Sequence, residues 1–176
     1  MPYTYEWPRP GLTVDNILIS HDNQLLLIKR MNDPWKGAWA LPGGFIDENE
    51  PLEVAAVREL KEETGVDVAA IPGIRPLQVG IWGDPHRDPR GWIVGLAYTY
   101  AHCPAASSFT SHGVKAGDDA LEAAWFPIND LPPLPCNEHE EMVQKALDLL
   151  SRHGSGDGCR KANLPVQAGD DVDVDR

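Results

Sequence analysis

Positive charge is scarce in this chain. Fifteen Lys and Arg stand against 27 Asp and Glu, a formal charge of −12. Sites for nucleic-acid backbones are basic, so the balance argues against such a partner. Cysteine is also sparse. Cys103, Cys136 and Cys159 are odd in number, widely spaced and without a C-x-x-C. Neither a disulfide framework nor a zinc site follows, and reduced thiols in a cytoplasmic protein are expected. No apolar run approaches the ~20 residues of a membrane helix. The opening MPYTYEWPRP has no basic stretch followed by an apolar one, so no signal peptide is expected. No internal repeat is visible.

What is present is an ordinary globular composition, 42% hydrophobic and 24% charged over 176 residues, enough for one domain. Residues 1–10 are aromatic and proline-rich, which predicts an extended segment. LTVDNILIS (12–20) and QLLLIKR (24–30) read as strands joined by a turn at His21-Asp22-Asn23. MNDPWKGAWALPGG reads as a loop with a short extended piece around Trp39 to Leu41. Residues 50–64 read as a helix stopped by Gly65. RPLQVGIW (75–82), WIVGLAYTYAH (92–102) and LEAAWFPI (121–128) read as further strands, and residues 137–153 as an amphipathic helix. The composition then turns to Gly, Ser, Asp and Pro, so residues 154–176 are expected to be a disordered tail. This order of elements predicts an α+β, mixed-sheet sandwich over residues 11–153.

The chemistry concentrates in GGFIDENEPLEVAAVRELKEETGV, residues 43–66. At ~100° per residue, Glu59, Glu62 and Glu63 share one helical face. Like charges at these spacings cost about 0.2–0.5 kcal/mol per pair on a plain surface helix. Val54, Val57 and Leu60 spread apolar residues around the rest of the girth, so the helix should be packed on more than one side. Arg58 and Lys61 fall off the acidic stripe. Either the stripe is a solvated acidic face, or a hard divalent cation such as Mg²⁺ or Mn²⁺ neutralises it.

The spacing decides between these. Gly44, five residues, Glu50, seven residues, then Arg58-Glu59-Leu60-Lys61-Glu62-Glu63-Thr64-Gly65-Val66 matches G-x5-E-x7-R-E-U-x-E-E-x-G-U, U aliphatic, at every defined position. The chain therefore resembles the Nudix hydrolase family over roughly residues 10 to 152. The resemblance implies an αβα sandwich around a mixed β-sheet. It implies that Glu59, Glu62 and Glu63, with the carbonyl of Gly43, hold the catalytic metals. It further implies that Arg58 orients a metal-binding carboxylate and that Glu50 braces the loop. The reaction implied is attack of water on a diphosphate bridge in a nucleoside diphosphate derivative.

The proton acceptor in this family is not always in the box. GDDALEAAWF offers Asp118, Asp119 and Glu122, although Glu122 could equally be a strand surface charge. YEWPRPGLTVDNILI and GDPHRDPRGW resemble a subgroup near ADP-ribose pyrophosphatases and ADP-ribose-sensing regulators. That resemblance puts Arg87 and Arg90 on a loop near the substrate; a salt bridge with Asp84 or Asp88 is the plainer alternative. Trp92 follows Gly91 where the subgroup often has a basic residue. Among the tryptophans, Trp39 and Trp125 read as core and Trp35 as a candidate to stack on a base. Arg30, ending the second strand, could reach a phosphate. The expected partner is a small nucleotide: ADP-ribose first, an oxidised nucleoside triphosphate such as 8-oxo-dGTP second. A ligand sensor with an added DNA-binding domain is the third reading; the box here is intact, and the residues after the last helix are too few for a winged helix. The resemblance also implies a homodimer.

Overall fold

A computed structural model describes residues 4–20, 22–71, 74–100, 114–117, 120–136 and 138–153. The predicted tail, Asp118, Asp119, Cys103 and Cys159 lie outside them.

Among the described residues seven strands and two α-helices follow in the order β1 (Gly11–Ile17), β2 (Gln24–Arg30), β3 (Trp39–Ala40), β4 (Gly43–Phe45), α1 (Leu52–Thr64), β5 (Pro76–Trp82), β6 (Ile93–Tyr100), β7 (Ala120–Pro127) and α2 (His139–His153). They form two sheets. One is four-stranded and mixed, in the order β4-β1-β6-β5; the other is three-stranded, β3-β2-β7. β1 pairs in parallel with β6 and antiparallel with β4. The α+β sandwich expected from the order of elements is the architecture found.

Alternation along β1 sorts its neighbours. Val14 packs with Leu96, Tyr98 and the small residues Ala55 and Ala56 of α1. Ile17 faces the other way, into a core shared with Trp82, Ala97, Leu25, Leu27 and the α2 residues Met142, Val143 and Ala146. Each helix thus covers one side, and α2 is anchored to both sheets. A third cluster joins Leu60 and Val68 to Leu18, Leu26 and Tyr100, so α1 is buried along more than one flank, as its distribution of apolar residues predicted.

α1 begins after Pro51, two residues later than the sequence suggested, because Pro51 sits in the extended region with φ −63° and ψ 141°. It ends as expected: Gly65 adopts the left-handed conformation at φ 74° and its N–H caps the Lys61 carbonyl. β4 is the element the sequence reading missed. It is three residues long, two of them glycine, so neither length nor propensity marks it.

Candidate active site

β4 enters the box, α1 carries its carboxylates, and the loop Leu41-Pro42 leads into both. Every residue from Leu41 to Gly44 is held. The Leu41 N–H donates to His139 Nδ1 at 3.2 Å. The Pro42 carbonyl accepts from the Asn16 backbone at 2.8 Å and from its side chain at 3.2 Å. The Gly43 N–H donates to Glu63 Oε2 at 2.7 Å. Gly44 lies against Glu59, where an added Cβ would stand 2.7 Å from the carboxylate oxygens. At Gly43 a Cβ would meet the Val14 carbonyl oxygen at 2.1 Å, so the antiparallel pairing of β4 with β1 requires glycine there.

Arg58 is the hub of the acidic cluster. Its Nε and Nη2 clasp the two oxygens of Glu50, each at 2.8 Å. Nη1 donates to Glu59 and to Glu62, each at 2.9 Å, and Nη2 also reaches the Phe45 carbonyl at 3.1 Å. A helical wheel puts Arg58 off the acidic stripe, but its long side chain curls back over it. The fork holds the Glu50 carboxyl down to about 2, first through the Arg58 hydrogen bonds and then through the Asp47 backbone N–H. The same partners, Glu50 first, raise the already high Arg58 value. Lys61 turns away to Asp67.

Glu63 differs from its neighbours. It is 8% exposed, and burial pushes its carboxyl up to about 8. The Gly43 hydrogen bond and the charge of Arg30 oppose that push, while Glu59 and Asp15 add to it. Burial raises Glu59 as well, against the pull of Arg58. Glu62 is more exposed. Among the described residues no three His, Cys, Asp or Glu side chains converge as a finished metal cluster. The donors nevertheless fit a hard divalent cation. Two adjacent carboxylates are drawn out of water, and among the described residues the group hydrogen-bonded to the Glu63 side chain is a backbone N–H. Glu59, Glu63 and the more exposed Glu62 are the residues that would hold it.

The sheet face opposite α1 carries a second set of charges. Asp15, the register partner of Gly43, lies 3.4 Å from His139 Nε2. Arg87, 3% exposed at its side chain, donates to Glu138 at 2.9 Å, and its guanidinium lies beside Gly95 next to Asp15. Arg90 is more open; it forms a fork with buried Asp88 at 2.9 and 2.7 Å and lies 5.2 Å from the Phe45 ring centre. Asp88 is thus the loop salt-bridge partner of Arg90, and Glu138 that of Arg87. Arg30 donates to the Pro34 carbonyl at 2.8 Å and contributes positive potential at Glu63. Trp35 is half-buried against Ile28, Ala40, Ala120 and Cys136 at φ 63°, so part of its ring serves the core. Glu122 sits opposite Lys29 on β7, 3.6 Å from its Nζ and 54% exposed at its side chain. Burial raises the Cys136 thiol to about 11, which disfavours a nucleophilic role.

Sequence reasoning offered Asp88 as a partner for the loop arginines but passed over Asp15, Glu138 and His139. These three sit alone in strand or helix-start contexts. Only the fold brings them to the box.

A NUDIX domain profile matches residues 9–146, with the intact box inside it. The chain belongs to the Nudix family. It is 43% identical over 135 residues to an ADP-ribose pyrophosphatase of Methanocaldococcus jannaschii, covering 77% of this chain and 72% of that protein. An ADPR-responsive transcriptional repressor of Acinetobacter baylyi is also 43% identical, over 98 residues; this Nudix chain matches 37% of its length. The NUDIX domain of Shewanella oneidensis NrtR, solved with ADP ribose, superposes with a TM-score of 0.69 at 32% identity, over 82% of this chain and 90% of that one. The Nudix assignment makes the protein a hydrolase of the pyrophosphatase class. Among the described residues no helix is long and apolar enough to cross a membrane.

Proposed function

We propose that the protein hydrolyses the diphosphate linkage of a nucleoside diphosphate derivative, ADP-ribose first, using Mg²⁺ or Mn²⁺. The observation that carries the reading is the pairing of an intact box with buried Glu63, beside a loop whose Arg90 is partly open. The naming of the Methanocaldococcus jannaschii relative and the ADP ribose bound to the Shewanella domain support the choice of substrate.

Water adds to one phosphorus of the bridge, the bond from that phosphorus to the bridging oxygen breaks, and ADP-ribose gives AMP and ribose 5-phosphate. A bound divalent cation would acidify that water and offset the charge that builds on the phosphate oxygens. Glu59, Glu62, Glu63 and the Gly43 carbonyl would hold the cation. Arg58 orients Glu59 and Glu62 from behind, and Glu50 fixes Arg58. Arg90 and Arg30 supply positive charge to the phosphates. Arg87, buried against Glu138, supports the loop that presents Arg90. Glu122 is the proposed proton acceptor outside the box. Its exposure and its pairing with Lys29 equally suit a surface charge, and Glu122→Gln separates the two roles by its effect on kcat.

The decisive experiment is a Mg²⁺-dependent panel with identified products, comparing kcat/KM for ADP-ribose, NADH, diadenosine polyphosphates, GDP-sugars and 8-oxo-dGTP. AMP and ribose 5-phosphate as favoured products support the reading. Preference for 8-oxo-dGTP keeps the reaction class and moves specificity to a base pocket. Binding of ADP-ribose without turnover of any compound overturns the enzymatic reading in favour of a sensor.

A further inference from the structure

We infer that His139, the first residue of α2, is a positioning residue for the cation site: it fixes the backbone that joins Gly43 to Glu63. The inference rests on the reading that Glu63 and the Gly43 carbonyl hold the cation.

The geometry is a short chain of contacts. His139 is 6% exposed. Its Nδ1 accepts the Leu41 N–H at 3.2 Å, so Nδ1 carries no proton and a neutral ring carries its hydrogen on Nε2. That nitrogen lies 3.4 Å from Asp15 Oδ1, and Asp15 is the residue across from Gly43 in the β1–β4 pairing. One imidazole therefore bonds the segment two residues before Gly43 and lies against the strand position beside it. Gly43 in turn donates to Glu63 at 2.7 Å.

The anchor is rigid for a reason visible in the packing. Met142, Val143 and Ala146, on the next turns of α2, are buried against both sheets. The next residue toward the N-terminus, Glu138, is tied to Arg87. β4 is only three residues long and pairs along one edge, with β1, so its own ladder gives it little stiffness. A structural histidine with no bearing on the site would not be expected to bond the loop before Gly43 and also lie against the residue that pairs with Gly43. Outer groups that orient ligands typically change metal affinity by about 10–100-fold when removed.

The test uses Mn²⁺ as probe on the full chain, with its dissociation constant read from water-proton relaxation and the folded fraction from circular dichroism. His139→Leu removes both contacts. His139→Asn keeps an acceptor where Nδ1 stands and loses the reach to Asp15. Glu63→Gln serves as the reference for the cation site itself. The expected result is Mn²⁺ binding about tenfold weaker in folded H139L, restored to within about twofold in H139N, with kcat falling more than KM rises. If H139L does not fold, H139N and His139→Gln carry the test: H139N is then expected to bind Mn²⁺ within about twofold of wild type, while H139Q, which reaches toward Asp15 but offers the Leu41 N–H no acceptor where Nδ1 stands, binds about threefold weaker. Wild-type Mn²⁺ affinity in folded H139L with E63Q impaired overturns this inference alone. In the fallback, wild-type affinity in H139Q does the same. Wild-type affinity in E63Q overturns the cation reading and this inference together.

Discussion

Glu63 takes the backbone N–H of Gly43 at 2.7 Å, tying the last turn of α1 to a strand twenty residues earlier in the chain. The most buried carboxylate of the helix face is thus held by the main chain, while Arg58 serves Glu59 and Glu62 and, with the Asp47 N–H, Glu50. Two kinds of support, one backbone and one guanidinium, hold a single acidic helix face.

Replacing Glu63 by Gln should have opposite effects on stability and function. Burial raises the Glu63 carboxyl to about 8, so its charged form opposes folding when no cation is present. Glu63→Gln keeps an acceptor for Gly43 and removes that cost. Metal-free E63Q is expected to be about 1–2 kcal/mol more stable than wild type at pH 8. It should also lose the rise in Tm that Mg²⁺ gives the wild type, and at least a hundredfold in kcat. Thermal unfolding with and without Mg²⁺, beside a rate assay, checks all three. A less stable E63Q would contradict the burial account.

Glu50 predicts an acid limb. Its folded value is about 2 against an ordinary 4.5, chiefly because Arg58 clasps it. A depressed carboxylate stabilises the fold above its unfolded value, and that contribution fades as pH falls from about 4.5 through 2. Glu50→Gln should therefore be less stable than wild type at pH 7, with the gap closing by pH 2–3. Urea unfolding at several pH values measures it.

The two box glycines should separate fold from chemistry. Gly43→Ala drives a methyl into the Val14 backbone carbonyl, which cannot yield without moving β4; a loss of about 2–3 kcal/mol is expected. Gly44→Ala meets the end of the Glu59 side chain, which can swing aside. G44A should lose less than about 1 kcal/mol of stability yet lose most of its activity, because Glu59 is displaced. Equal stability losses would count against this division.

Arg87 and Arg90 lie three residues apart and should behave differently. The Arg87 side chain is buried and donates to half-buried Glu138, so Arg87→Ala removes a charge-assisted hydrogen bond and should cost about 1.5–3 kcal/mol in urea unfolding. Arg90 is partly open, so Arg90→Ala should raise KM for ADP-ribose about tenfold with a smaller change in kcat. If R90A changes stability alone, the fork with Asp88 is its whole role.

The box was legible because its chemistry is local. Gly44, Glu50, Arg58, Glu59, Glu62 and Glu63 fall within twenty residues, and helical spacing places the last three together. The strands from β-branched and apolar runs emerged within three residues of their observed ends, and Gly65 closed the helix as a glycine there should. β4 stayed hidden because Gly43-Gly44-Phe45 has no strand signal of its own; its pairing with β1 creates it. Asp15 and His139 stayed hidden for a related reason. Each is unremarkable in its own segment, and they meet across 124 positions only when α2 docks on the sheet. Arg58 was misplaced by treating a side chain as a point on a wheel, when its length spans about a turn of helix.

The parallel pairing of β1 with β6 has a consequence for how far the box can act alone. Thr99 on β6 donates to the Ile17 carbonyl on β1 across a sequence separation of 82. Contacts of that range form late, because their loop-closure entropy must be met before they contribute. A nascent chain that has just completed residue 66 holds every carboxylate of the box but neither β6, which flanks β1, nor α2, which grips the loop before Gly43. The box is therefore not a portable module. Transplanted as a peptide onto another scaffold it would carry the ligands without the sheet that spaces them, and the protein acquires its chemistry only once its C-terminal half has been made.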